Sequence, residues 1–239
     1  LLADAIQVPA GCEADHVEQV LRLSAPYVSY DPFDAAPEVG PLPAEKNGYI
    51  TLASFSNLAK VNEQVIALWC EILRRAPTAR LALKSRWFGD DGVCRQVREA
   101  FATHDIAAKR LLLKPWSSHA GLLAEYNEVD LALDPFPFSN SATTCDGLWM
   151  GVPSVTLPGD TFASRHTLNH LTALRLTELA ADSKQQYVDL AVSLAGDLIH
   201  ASAGNYGVKL EQMPTAAYQA LVDSRANLAT RPGESGLLP

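Results

Sequence analysis

The sequence predicts an α/β protein built on a Rossmann-like, doubly wound parallel sheet. Three observations predict it: short apolar runs alternate with amphipathic stretches from residue 48 onward, the connections between them are short, and the apolar runs are continuous rather than alternating. Strands buried on both faces show that last property. About six β–α units can be counted, too few for an eight-fold barrel.

The elements follow in order. YITLASF (49–55) reads as the first strand, and NEQVIALWCEILRRA (62–76) as a helix with Val65, Ile66, Trp69, Ile72 and Leu73 on one side. Pro77 and Thr78 break that helix before a second strand, ARLALKS (79–85). A helix over 92–104 carries Val93, Val97 and Phe101, with Asp90 and Asp91 placed to cap it. KRLLLKP (109–115) is the third strand, and SSHAGLLAEYN (117–127) a helix with a Ser cap. VDLALDPFP (129–137) is the fourth strand, and TTCDGLWMG (143–151) a helix closed by Gly151. PSVTLPG (153–159), a helix over 162–174, a short sixth strand in LTELAA (176–181) and a helix over 183–202 complete the rhythm. One more helix is expected around 215–228.

Residues 1–47 break the pattern. EADHVEQVLRL (13–23) suggests a short helix, with Val17, Val20 and Leu21 on one face. The Pro- and aromatic-rich stretch after it reads as an extended connection across a surface. The expected organisation is a connecting segment or tail of an upstream domain over 1–47, a nucleotide-binding-type domain over 48–204, and a C-terminal helix and tail over 205–239. The first residues contain neither Met nor a signal pattern, which suggests a piece of a longer polypeptide.

Composition narrows the function classes. The 239 residues are 48% hydrophobic with a formal net charge of −8, so general nucleic-acid binding, which leaves a basic footprint, is disfavoured. Cys12, Cys70, Cys94 and Cys145 are widely spaced without a C-x-x-C pair, and reduced thiols in a cytoplasmic protein are the expected state. No apolar run approaches the ~18 residues of a membrane span.

Ligands of open parallel sheets sit beyond the carboxyl ends of the strands. Those loops carry neither G-x-G-x-x-G nor a Walker A sequence, which disfavours nicotinamide dehydrogenases and P-loop NTPases. After the first strand, Lys60 precedes a helix, where the dipole disfavours a cation unless an anion lies between them. The alternative is an exposed loop lysine. After the fourth strand, Ser141, Ala142, Thr143 and Thr144 open a helix whose unpaired amides favour a negative group. Asp146, expected in the first turn of that helix, either complements the dipole or accepts from a sugar hydroxyl. After the third strand, Trp116 and His119 bracket a helix start and offer rings for stacking on a base. His166 and His170 have the i,i+4 spacing of a helical zinc site, but the Glu of H-E-x-x-H is missing, and no metal is expected.

Three blocks, LASFSNLAKVNEQVIALWCEILRRAPTARLALKS, LDPFPFSNSATTCDGLWMGVPSVTLPGDTFASR and ELAADSKQQYVDLAVSLAGD, together resemble the C-terminal half of the catalytic region of O-GlcNAc transferases. The stretch YVSYDPFDAAPEVGPLPAEKNGYI resembles the approach segment of bacterial members. The resemblance implies the nucleotide-sugar domain of a GT-B glycosyltransferase that takes N-acetylglucosamine from UDP-GlcNAc to Ser or Thr of proteins. It implies inversion, no metal and no cofactor beyond the donor substrate. Lys60 would be the catalytic phosphate-binding lysine, with Asn57 near the same group. The uracil would meet the loop of Lys114, Pro115 and Trp116, mostly through backbone, and the His119 ring. Ser141, Ala142, Thr143 and Thr144 would receive the diphosphate and Asp146 the ribose.

Some positions depart from the family pattern. Trp116 stands where animal members carry Lys, Ser141 where they carry His, and Ala142 where they carry the first Thr. Arg175 stands where the family usually has Gly, which costs about 1 kcal/mol if φ is positive there. The family's upstream half, which holds the acceptor cleft, and its helical repeats are the implied partners within the same polypeptide. A UDP-hexose transferase of the same fold and a non-catalytic scaffold remain the alternative readings.

Overall fold

The computed structural model describes residues 1–202. The helix expected at 215–228 and the tail after 205 lie outside the described residues.

The chain starts with β1 (Leu2–Ala3), paired in parallel with β2 (Leu21–Arg22). The helix expected over 13–23 does not form. Only a 3-10 turn, Glu13–Asp15, occurs there, and Val17 is fully exposed. Three apolar residues at helical spacing had no surface to pack on, and Leu21 bonds instead to the Leu1 carbonyl (2.9 Å). Helix α1 (Pro43–Asn47) follows, ended by Gly48 at φ +70°. It packs on the last described helix, and its Ala44 amide donates to Asp130 Oδ1 (2.9 Å).

The alternating region then runs β3 (Thr51–Ser54), α2 (Glu63–Arg75), β4 (Arg80–Lys84), α3 (Asp91–Ala102), β5 (Leu111–Lys114), α4 (His119–Tyr126), β6 (Leu131–Leu133), α5 (Ala142–Trp149), β7 (Ser154–Val155), α6 (His166–Ala173) and α7 (Lys184–Ser202). Caps match the local chemistry. Asn62 Oδ1 accepts from the Val65 amide (3.0 Å) and Asp90 Oδ1 from that of Val93 (3.0 Å). Arg110 closes the C-terminal end of α2, donating to the carbonyls of Leu73, Ala76 and Ala79. The expected sixth strand reduces to a single bridge between Thr156 and Ala180, next to a 3-10 turn at Thr177–Leu179.

Among the described residues the five strands β3–β7 form one parallel sheet in the order β5-β4-β3-β6-β7. The chain therefore winds outward from β3 in one direction through β4 and β5, and returns to β3's other side with β6. Both sheet faces are covered. Leu52, Leu81, Leu83, Leu131 and Leu133 pack with Trp69, Ile72, Leu73, Phe101 and Tyr187 of α2, α3 and α7. Ala53 and Ala82 point the other way, into a cluster with Leu123, Tyr126 and Met150. Small residues on that face admit the ring of Tyr126. Each buried Leu is worth about 1.5–3 kcal/mol relative to exposure. Trp69 Nε1–H donates to the Tyr187 hydroxyl (3.0 Å), and that hydroxyl donates to the Asp134 carbonyl (3.0 Å) just past β6.

Candidate functional site

The strand order reverses between β3 and β6, and their carboxyl ends open the crevice where parallel sheets bind ligands. Two loops meet there. Phe55, Ser56 and Asn57 leave β3, and residues 134–141 leave β6.

Asp134 organises the second loop. It is buried, and its carboxylate accepts from the Asn140 amide (2.7 Å) and the Thr156 hydroxyl (2.7 Å). Burial pushes its pKa up to about 7. Asn140 in turn donates to Ser56 Oγ (2.7 Å), which ties the β6 loop to the β3 loop. Lys60 crosses the same gap. Its ammonium donates to the Ser139 carbonyl (2.9 Å) and to Asn140 Oδ1 (3.3 Å), and lies 4.2 Å from the centre of the Phe138 ring. Burial lowers its pKa, opposed by the nearby Asp134 charge. Lys60 ends a 3-10 turn, Leu58–Lys60, so the cation is anchored to the loop feeding α5 and not to the start of α2. Asn57 caps that turn through its Oδ1 on the Ala59 amide (3.0 Å).

Ser141 is the N-cap of α5, but its side chain makes no capping bond; its Oγ lies 3.4 Å from His170 Nε2. The amides of Ala142 and Thr143 make no hydrogen bond among the described residues, so they are free donors at this helix start. The Thr143 carbonyl accepts from the Tyr126 hydroxyl (2.7 Å). The buried Thr144 hydroxyl lies 2.9 Å from that of Thr167, linking α5 to α6. Because α5 begins at Ala142, Asp146 lies beyond its first turn, contrary to the expectation from sequence, and dipole complementarity does not explain it. Asp146 is buried and its Oδ1 has two partners: the Tyr30 hydroxyl (2.7 Å) and His119 Nε2 (3.1 Å).

A cleft of about 530 Å³ opens at the ends of β3, β4 and β5, with Asn57, Arg86, Trp87, Trp116, Ser117 and His119 in its wall. Trp116 is 73% exposed. Lys114 and Pro115 are not in the wall of this cleft, and the Lys114 side chain pairs with Glu128 (2.6 Å). Its carbonyl accepts from the Ser85 amide (3.1 Å), and the Pro115 carbonyl accepts from Lys84 Nζ (2.8 Å).

His166 and His170 sit on α6 at i,i+4 spacing but have separate partners. His166 Nδ1 lies 2.6 Å from the Tyr27 hydroxyl, and His170 lies against Ser141. Burial lowers both pKa values, that of His170 to about 4. No trio of His, Cys, Asp or Glu placed to hold a metal occurs among the described residues. No described helix is long and apolar enough to cross a membrane, and all four cysteines are unpaired.

Sequence reasoning missed Asp134, Asn140, Trp87 and the aromatic side chains of residues 27–33. The signal for Asp134 was an acid directly after an apolar strand. For the aromatics it was a regular spacing, Tyr27, Tyr30, Phe33.

The model of a family described as glycosyl transferase family 41 matches residues 42–216. The chain is similar to a probable UDP-N-acetylglucosamine–peptide N-acetylglucosaminyltransferase SPINDLY from Petunia hybrida, 34% identical over 214 residues, covering 89% of this chain and 23% of the relative. It is also similar to the UDP-N-acetylglucosamine–peptide N-acetylglucosaminyltransferase of Caenorhabditis elegans, 32% identical over 153 residues, covering 63% of this chain and 13% of that one. Among solved structures it resembles a mutant of the O-GlcNAc transferase from Thermobaculum terrenum, with a TM-score of 0.78 and 30% identity, covering 96% of this chain and 45% of that chain. The chain thus spans less than a quarter of the length of the curated relatives it matches.

Proposed function

The chain belongs to glycosyl transferase family 41, and from that premise we propose that it forms the donor-binding half of an inverting, metal-independent transferase that moves N-acetylglucosamine from UDP to Ser or Thr hydroxyls of proteins. The donor UDP-GlcNAc is what the names of its relatives point to. The observation that carries the reading is the convergence of Lys60 and the start of α5. The ammonium is bonded to Ser139 and Asn140, and the next residues open a helix with free amides at Ala142 and Thr143.

Breaking the sugar–phosphate bond leaves negative charge on UDP. A fixed cation and oriented N–H groups stabilise such charge without reorganising during the reaction. Lys60 is therefore the catalytic residue of this half, acting on the leaving group. The uridine would extend along the 530 Å³ cleft past Asn57, Trp116 and His119, with the ribose at Asp146. The chain would obtain its acceptor cleft, helical repeats and protein substrates from further parts of the same polypeptide. Four unpaired thiols fit work in the cytoplasm.

The test is Lys60→Ala in the full-length protein. Removal of one preorganised donor costs about 10²–10³ in rate in other systems. Turnover with UDP-GlcNAc is expected to fall at least that far while the thermal melt is kept. Near-wild-type turnover would remove Lys60 from the mechanism. Binding assays with UDP-GlcNAc, UDP-glucose and a guanosine-diphosphate sugar fix the donor.

A further inference from the structure

We propose that the extended segment from Tyr27 to Phe33 is a wall of the nucleotide crevice, in which Tyr30 and Phe33 are positioning residues holding Asp146 and His119 for the nucleoside. The inference rests on the donor-binding reading above.

The segment has neither helix nor strand and is stiffened by Pro26 and Pro32. An extended chain advances about 3.3 Å per residue, so aromatics three apart are about 10 Å apart. That is close to the 8–10 Å spacing of packed helices. Each aromatic meets a different helix. The Tyr27 hydroxyl lies 2.6 Å from Nδ1 of His166, the first residue of α6. The Tyr30 hydroxyl donates to Asp146 of α5 at 2.7 Å. The Phe33 ring lies 4.9 Å from the ring of His119, the first residue of α4. The segment therefore runs across three helices in succession, α6, α5 and α4.

The segment is tied down at its first end. The Tyr27 amide donates to Asp4 Oδ2 (2.8 Å), which also accepts from Asn169 Nδ2 (2.6 Å) on α6. At its centre, Tyr30 and His119 both engage the same oxygen of Asp146. Two partners on one oxygen fix the carboxylate plane, and Oδ2 has no hydrogen-bond partner among the described residues. Oδ2 is thereby the atom left to accept a ribose hydroxyl. Burial and the neighbouring carboxylate push the Tyr30 phenol well above its usual range, so it remains a donor at any working pH. Phe33, 40% exposed, backs the imidazole at the mouth of the cleft.

The experiment compares UDP with inorganic pyrophosphate by calorimetric titration of the full-length protein. The variants are Tyr30→Phe, which removes one hydroxyl, and Phe33→Ala. In both, affinity for UDP is expected to fall about tenfold, the scale of one charge-assisted hydrogen bond for Tyr30 and of one ring–ring contact for Phe33, with pyrophosphate unchanged. A segment that only braces the fold would not separate the two ligands. Unchanged UDP affinity in both variants, or an equal loss for UDP and pyrophosphate, overturns the inference and leaves the donor-binding reading standing. A wild-type protein that binds neither UDP nor any other nucleoside diphosphate overturns both.

Discussion

Replacing Arg175 by Gly should stabilise the protein. Arg175 sits just past α6 at φ +59°, in the left-handed region. The turn is a Schellman closure: the Arg175 amide donates to the Thr172 carbonyl (3.1 Å) and the Leu176 amide to that of Leu171 (2.8 Å), with Leu171 and Leu176 both in the core. The backbone is held there by these bonds, and a Cβ in that conformation costs about 1–2 kcal/mol. Glycine removes that strain but gains unfolded-chain freedom, worth about 0.4–1 kcal/mol in the opposite sense. The net expectation is a gain of about 0.5–1 kcal/mol. With about 2–4 °C per kcal/mol for a chain of this size, the melting temperature should rise by about 1–4 °C. The exposed Arg175 side chain makes no hydrogen bond or ion pair that would be lost among the described residues. Urea unfolding of wild type, Arg175→Gly and Arg175→Ala measures it. Alanine keeps the Cβ and should stay within about 0.5 kcal/mol of wild type. Equal stabilisation by Ala and Gly, or none by Gly, would refute the strain at this position.

The other predictions concern the buried polar groups. Tyr187→Phe removes the hydroxyl that accepts from Trp69 Nε1 and donates to the Asp134 carbonyl, leaving both unpaired; chemical denaturation should show a loss of about 1–3 kcal/mol. Arg110→Met keeps the apolar stem but removes the guanidinium donors from the carbonyls of Leu73, Ala76 and Ala79, of which Ala76 keeps the Ala79 amide (3.0 Å); a loss of about 2 kcal/mol is expected, with faster amide exchange at the end of α2. Stability against pH should carry opposed contributions, from Asp134 on one side and from His166 and His170 on the other. Asp134, raised to about 7, binds its proton more tightly in the folded state, so its contribution falls as pH rises from about 4 to 7. His170, lowered to about 4, binds its proton more weakly when folded, so its contribution rises from about 4 to its ordinary 6.5. His170→Gln should therefore make the change in stability between about pH 4 and 7 more negative than in the wild type, and an unchanged pH profile in that variant would refute the His170 assignment.

The strand–helix alternation was legible because each strand of the sheet is a short apolar run bounded by a breaker, and because α2 carries its core residues as one stripe, Val65, Trp69, Ile72 and Leu73. The stripe over Val17, Val20 and Leu21 misled for the same reason: periodicity records which residues share a face, not whether anything lies against it. The sixth strand failed because a β-like composition in LTELAA was satisfied by one bridge and a 3-10 turn. The loops that surround the crevice were legible from topology alone, since parallel sheets bind ligands at strand carboxyl ends. The pairing of Tyr30 with Asp146, 116 residues apart, was not, because no local rule relates a Pro-rich stretch to a helix it will cross. The anchoring of Lys60 to Ser139 and Asn140 belongs to the same class of long-range contact.

The bond from Tyr187 to the Asp134 carbonyl has a consequence for how the protein comes into being on the ribosome. β3, the middle strand of the sheet, is synthesised first of the five, and its neighbours can add to it as they emerge. The loop beyond β6 gets its last anchor only when Tyr187 of α7 has been made, so the crevice is finished late although its framework is started early. A message truncated before α7 would yield a nascent chain with a nearly complete sheet, an uncovered face where Trp69 should be buried, and a slack ligand loop. Such a chain has the exposed apolar surface that recruits chaperones. The crevice should then be completed sharply with the passage of α7 rather than grow with each strand.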